Sequence, residues 1–179
     1  MSFRYEIRLS GAGGQGLILI GKILAEAAAI YDNKNATQSQ SYGPEARGGA
    51  SRSEVIISDG DIDFPKAMNI DMLLAMTQEA VDKYTDDVKE DGIIIVDSHF
   101  VKTVPDGKYS VHSFPITEIA EDKIGRKIVA NIIALGAMES LSKIVSEEAI
   151  INAIKARVPK GTEEMNIQAF RAGQELVKS

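Results

Sequence analysis

Residues 3–10, FRYEIRLS, run directly into GAGGQG and then into a nearly uncharged stretch, LILIGKILAEAAAI. A strand, a glycine turn and a buried helix in that order form the opening of an α/β fold. In the strand, Phe3, Tyr5, Ile7 and Leu9 fall on one face and Arg4, Glu6 and Arg8 on the other. That period of two predicts one packed face and one face that is wet or turned to a partner. The helix, expected over 17–30, carries charge only at Lys22 and Glu26 and should be buried on most sides. Gly21 inside it costs about 1 kcal/mol against alanine, tolerable where another backbone approaches closely.

Further along, SEVIIS (53–58), IDMLLAM (70–76), GIIIVDS (92–98) and YSVHSF (109–114) read as strands. The stretch 36–53 is almost devoid of aliphatic side chains; Gly43-Pro44 and Gly48-Gly49 mark turns, and no strand is assigned before Ser53. TQEAVDKYTDDVKE (77–90) predicts a helix capped by Thr77, with Glu79 favouring the dipole of its first turn. From Thr117 the chain is helical in three segments. Ser146 is positioned to cap the second, and Pro159 and Gly161 separate it from the third. The expected fold is α/β: a single Rossmann-like, open, mostly parallel sheet flanked by helices, with a helical C-terminal third. No repeat or long linker divides the 179 residues, so one domain over 1–179 is expected.

Composition removes several chemistries. There is no cysteine, which excludes disulfides, a thiolate nucleophile, thiolate zinc sites and an iron–sulfur cluster held by this chain's own thiolates. Acidic residues outnumber basic ones 26 to 20, tryptophan is absent and aromatics are 6% of residues, so neither a phosphate backbone nor stacked bases have a matching surface. The opening MSFRYEIRL lacks an apolar signal core, and the longest apolar runs are too short or interrupted to span a bilayer. A cytoplasmic chain without nucleic-acid or membrane partners is expected.

Gly11, Gly13 and Gly16 satisfy G-x-G-x-x-G. A dinucleotide site also needs an acidic residue at the end of the second strand for the ribose hydroxyls. The segment in that place, NATQSQSYG, has no carboxylate, and Asp32 comes too early. Gly11, Gly13 and Gly14 are better read as a strand-to-helix turn that permits positive φ and close approach. The N–H groups there still suit an anion or a partner carbonyl, and Gln15 is able to hydrogen-bond across an interface.

Other constellations lead nowhere catalytic. Asp59, Asp61 and Asp63 alternate as in a calcium loop, but Phe64 and Ile70 stand where that loop needs glycine and glutamate. Asp-Gly-Asp at 59–61 inverts the Gly-Asp-Gly of thiamine-diphosphate enzymes. His99 and His112 lack ligand spacing, Ser98 and Ser110 lack nucleophile-elbow glycines, and there is no P-loop lysine. No catalytic residue and no metal site are assigned. In SYGPEARGGASRS, Arg47 and Arg52 flank Gly48, Gly49 and Ala50. Two readings weigh equally: Glu45 with Arg47 as a surface pair of little worth, or the guanidinium forks of Arg47 and Arg52 as a clamp for a phosphate.

GAGGQG, TQSQSYGPEARGGASRSEVIIS, NIIALGA (131–137) and NIQAFRAG (166–173) together resemble the gamma subunit of 2-oxoacid:ferredoxin oxidoreductases, closest to the 2-oxoglutarate (2-ketoglutarate) branch. The resemblance spans about residues 5–175. It implies an enzyme that decarboxylates a 2-oxoacid on thiamine diphosphate, reduces ferredoxin through iron–sulfur clusters and transfers the acyl group to coenzyme A. It places thiamine diphosphate, Mg2+ and 4Fe–4S clusters in alpha, beta and delta partner subunits, leaving none on this chain. Gly11, Gly13, Gly14, Gln15, Gly16, Tyr42, Gly43, Pro44 and Glu45 become interface candidates, and Arg47, Gly48, Gly49 and Arg52 candidates for contact with coenzyme A. Service to another 2-oxoacid (pyruvate, a branched-chain acid or indolepyruvate), a stand-alone dinucleotide-binding protein and a structural homodimer are the competing readings.

Overall fold

The computed structural model describes residues 3–41 and 50–179. Strand β1 (Arg4–Ala12) leads into helix α1 (Leu17–Glu26), whose last turn widens to a π-turn over Ala27–Tyr31. Strands β2 (Asn35–Ser41) and β3 (Ala50–Ser58) follow, then β4 (Ile70–Ala75), helix α2 (Gln78–Tyr84), β5 (Val88–Asp97) and β6 (Ser110–Phe114). The C-terminal third contains the short helix α3 (Ile116–Ile119) and helices α4 (Ala130–Ser142), α5 (Glu147–Arg157) and α6 (Glu163–Lys178).

One six-stranded sheet has the order β2-β3-β1-β4-β5-β6. The pairs β1–β4, β4–β5 and β5–β6 are parallel, whereas β3 runs antiparallel to both neighbours. Strands β4 and β5 read as continuous apolar runs because both of their faces are covered. Ile7, Leu9, Val55, Ile57, Met72, Leu74 and Ile95 meet α1, α4, α5 and α6 on one face. Ile56, Leu73, Ala75, Ile94 and Val96 meet α2 on the other. The expected mostly parallel α/β sheet with a helical C-terminal third is the observed one, and Thr77 and Ser146 cap α2 and α5 by accepting from Ala80 N–H and Ala149 N–H.

Four local expectations are corrected. The charged face of β1 is not wet: Glu6 and Arg8 are buried. Arg8 meets Glu54 of β3 at 2.7 Å and Asp87 beyond α2, and it lies 4.8 Å above the Tyr84 ring. Glu6 accepts from Met68 N–H at 2.6 Å. The polar segment at 35–41 is a strand, because an edge strand paired only with β3 is held by backbone bonds and needs no apolar alternation. The helix expected over 77–90 stops at Tyr84: Asp86 and Asp87 are unfavourable at a helix C-terminus, and Val88 already begins β5. Finally, a side chain rather than a backbone approaches Gly21, since a Cβ there would lie 2.4 Å from Ser53 Oγ.

Candidate functional site

The chain leaves β1 toward β3 and β2 on one side and returns to β4 on the other, so the strand order reverses between β1 and β4. The helices that follow these two strands lie on opposite faces of the sheet. In open α/β sheets the crevice at the carboxyl ends of strands at such a point is where ligands bind. There, Gly13, Gly14, Gln15, Met76, Phe100, Thr117, Lys127, Ile128 and Ala130 line an open cleft of about 360 Å³.

The glycine turn supplies one wall. Gly14 and Gly16 have φ of +87° and +73°, which branched residues rarely adopt. Gly11 is buried, and a Cβ on it would lie 2.2 Å from Gln15 Oε1 and 2.9 Å from Met76 Cβ. The missing side chain is the seat of the Gln15 carboxamide, whose Oε1 accepts from Ala12 N–H at 2.7 Å. Asn131 closes the turn from behind: its Nδ2 donates to Gly16 O at 3.0 Å, and a Cβ on Gly16 would lie 2.3 Å from that nitrogen. Two of the glycine-bearing motifs, GAGGQG and NIIALGA, thus meet through a backbone carbonyl and an amide.

The opposite wall is built on Asp97, at the end of β5 and fully buried. Its Oδ1 accepts from His99 N–H at 3.0 Å; its Oδ2 accepts from Thr117 N–H at 3.2 Å and Thr117 Oγ at 2.5 Å. Those bonds fasten the turn carrying Phe100 to the start of α3. Phe100 is 38% exposed and Ile128 70%, so the mouth of the cleft is apolar. Lys127 brings a positive charge, shared with Glu121 at 3.6 Å. The cleft offers backbone and amide donors and one cation beside an apolar wall, a lining suited to a ligand that carries acceptor oxygens on an apolar or neutral body.

Gly13 and Gly14 lie exposed on the rim, Gln15 lines the cleft, Gly16 starts α1, and Gly11 is internal. Arg52 stands on β3 opposite Ser10, near the same sheet end; its Nη2 donates to Ser41 Oγ at 3.0 Å and its guanidinium carbon lies 5.7 Å over the Tyr84 ring. Tyr42, Gly43, Pro44, Glu45, Arg47, Gly48 and Gly49 fall outside the described residues. His99 faces Glu118 at 3.7 Å, while His112 lies on the edge strand β6. Among the described residues no three His, Asp or Glu side chains gather as a metal site, and no helix is long and apolar enough to cross a membrane.

Met76, Phe100, Thr117, Lys127, Ile128 and Asn131 escape a reading of the sequence because they come from separate connections. Only Asp97 leaves a trace there: a carboxylate closing the apolar run IIIV marks the carboxyl end of a buried strand.

Residues 6–176 match the family described as pyruvate ferredoxin/flavodoxin oxidoreductase. The chain is 54% identical to 2-oxoglutarate synthase subunit KorC of Methanocaldococcus jannaschii, over 99% of this chain and 96% of that one. It is 49% identical to the subunit of the same name from Methanothermobacter marburgensis, over 97% of each. A solved structure, the gamma subunit of a keto/oxoacid ferredoxin oxidoreductase from Geobacter sulfurreducens PCA, superposes with a TM-score of 0.89 at 57% identity, over 97% of this chain and 98% of that one.

Proposed function

The chain belongs to the pyruvate ferredoxin/flavodoxin oxidoreductase family, and from that membership we propose that it is the gamma subunit of a multi-subunit 2-oxoglutarate:ferredoxin oxidoreductase. The assembled enzyme decarboxylates 2-oxoglutarate, passes the electrons to ferredoxin and releases succinyl-coenzyme A. The observation that carries this reading is the end-to-end match with subunits named for 2-oxoglutarate synthase.

The residues support a subunit that completes a site and does not run the chemistry unaided. With no cysteine, the chain has no thiolate for an iron–sulfur cluster. Thiamine diphosphate, Mg2+ and the clusters belong to the alpha, beta and delta partners in this reading, and ferredoxin is the acceptor of the complex. Coenzyme A is the co-substrate this chain meets. Arg47 and Arg52 hold its phosphates, with Gly48 and Gly49 allowing close approach, and its neutral arm runs into the cleft between the glycine turn and Phe100. Gly13, Gly14, Gly16, Tyr42, Gly43, Pro44 and Glu45 are proposed to face the alpha and beta subunits, and Gly11 to shape the glycine turn from within.

Purifying the chain with its natural partner subunits and measuring 2-oxoacid-dependent reduction of ferredoxin or a viologen dye tests the proposal. Coenzyme A-dependent turnover that prefers 2-oxoglutarate over pyruvate and branched-chain 2-oxoacids is expected, with no turnover by the isolated chain. Preference for another acid reassigns the substrate; turnover by the chain alone refutes the subunit reading.

A further inference from the structure

Gln15 has a fixed polarity. Its Oε1 sits over Gly11 and accepts from Ala12 N–H at 2.7 Å. An N–H group takes an oxygen and repels an amide nitrogen, so the carboxamide cannot be turned over without losing that bond and setting two donors against each other. The other end of the amide, Nε2, therefore carries its two hydrogens away from the turn, and among the described residues it has no hydrogen-bond partner. Gln15 is half-buried and lines the cleft beside Gly13 and Gly14. Across the cleft the carboxylate of Asp97 is saturated by His99 and Thr117 behind the wall, and Glu121 is engaged with Lys127.

We propose that Gln15 is a specificity-determining donor, held by Ala12 N–H so that its Nε2 hydrogens bond an acceptor oxygen of the ligand in the cleft. The assignment rests on the reading of coenzyme A as that ligand, and the oxygen it reads is a carbonyl oxygen of the neutral arm that enters the cleft. The stretch GAGGQG then has a division of labour: Gly11 makes room for the carboxamide, Gly14 and Gly16 set the turn by their positive φ, and Gln15 does the reading.

Two substitutions separate this role from a purely structural one. Gln15→Glu keeps an oxygen for Ala12 N–H and adds a negative charge beside a helix N-terminus, so the turn is preserved or strengthened, but its outer atom becomes an acceptor. Gln15→Ala removes both ends. In the complete complex, Gln15→Glu is expected to raise the KM for coenzyme A about tenfold or more, to weaken coenzyme A binding measured by calorimetry equally, and to leave kcat at saturation within about twofold. Its Tm is expected to stay at or above that of the parent. An unchanged KM for Gln15→Glu together with a lowered Tm for Gln15→Ala confines Gln15 to capping the turn and overturns the proposal. Loss of subunit assembly in Gln15→Glu, with KM unchanged in the fraction that assembles, turns the donor toward a partner subunit and overturns it too. A parent complex with no coenzyme A dependence refutes the functional reading itself, a failure visible before any variant is made.

Discussion

Both protons that Thr117 offers, from its amide and its hydroxyl, go to one oxygen of Asp97, a carboxylate with no exposed surface. The second oxygen takes His99 N–H. A buried carboxylate is tolerated when donors of this kind surround it, and hydrogen bonds to a charged acceptor are the stronger class. Thr117→Val keeps the shape and removes one bond, with an expected loss of about 2 kcal/mol. Asp97→Ala leaves the His99 and Thr117 donors unsatisfied and should cost about 3 kcal/mol or more. Urea unfolding of the isolated chain measures both, and Thr117→Ser is expected to recover most of the loss.

Helices α4 and α6 touch backbone to backbone. A Cβ on Gly173 would lie 1.8 Å from Ile133 O, and one on Gly136 would lie 2.0 Å from Phe170 O. Where the neighbour is a carbonyl, no rotamer change relieves the clash, so the helices must separate. Beyond the glycines the seam carries a buried polar contact, Gln174 Nε2 donating to Glu139 Oε2 at 2.9 Å. Gly173→Ala is expected to destabilise by about 3 kcal/mol despite its better helix propensity. A rise in Tm for this variant would show that the seam is looser than these distances imply.

What the sequence discloses and what it hides divide along a physical line. Period and punctuation are local, so β1 and the apolar strands from β3 to β6, the turn after β1 and the caps at Thr77 and Ser146 are readable from neighbouring residues, whereas the polar edge strand β2 is not. Partners distant in the chain are not. The charges of Glu6 and Arg8 look solvated until the segment before β4 brings Met68 N–H to the first, and β3 and the turn after α2 bring Glu54 and Asp87 to the second. Asp32, rejected as a ribose ligand, instead accepts from Ser146 N–H and Ser146 Oγ at 2.6 and 2.7 Å, fixing the end of the first helical segment to the start of α5. The cleft is assembled from separate connections, of which only the glycine turn announces itself.

Arg8 is the most heavily engaged of these hidden charges. It is buried, paired with Glu54 and Asp87, bonded to Ala67 O at 3.3 Å and stacked over Tyr84. Removing only the cation strands the Glu54 carboxylate, so Arg8→Met should cost about 3–5 kcal/mol. Removing both charges, Arg8→Met with Glu54→Leu, should cost less than Arg8→Met alone. A double-mutant cycle by chemical denaturation reads this coupling directly, and additive losses would contradict it.

Tyr5 predicts the alkaline limb of stability. Burial first, and the negative charge of Asp71 second, push its hydroxyl from 10.0 up to about 12. Between those values the unfolded chain has released a proton that the folded chain retains. The contribution is therefore fully present below pH 10 and falls away as pH rises through about 12. Tyr5→Phe should flatten the decline of Tm over that window; a parallel decline in both proteins would assign it to other groups.

Arg52 gives the test of where the phosphates of coenzyme A lie. Its position is fixed on three sides, by strand pairing with Ser10 and Ser41, by the bond to Ser41 Oγ and by the Tyr84 ring. A guanidinium held this way loses little freedom when it meets a phosphate, so its contribution to binding is retained in full. In the complete complex, Arg52→Ala and Arg47→Ala should each raise the KM for coenzyme A by about 10- to 100-fold, the worth of a charge-assisted hydrogen bond. The KM for ferredoxin should not move. The rise should shrink as salt is added, because screening weakens the parent's advantage more than the variant's. Arg52→Lys should restore only part of the affinity, since a point charge cannot reproduce the fork. Unchanged coenzyme A dependence in both alanine variants would remove the phosphates from these arginines and leave the pair to an interface with the neighbouring subunit.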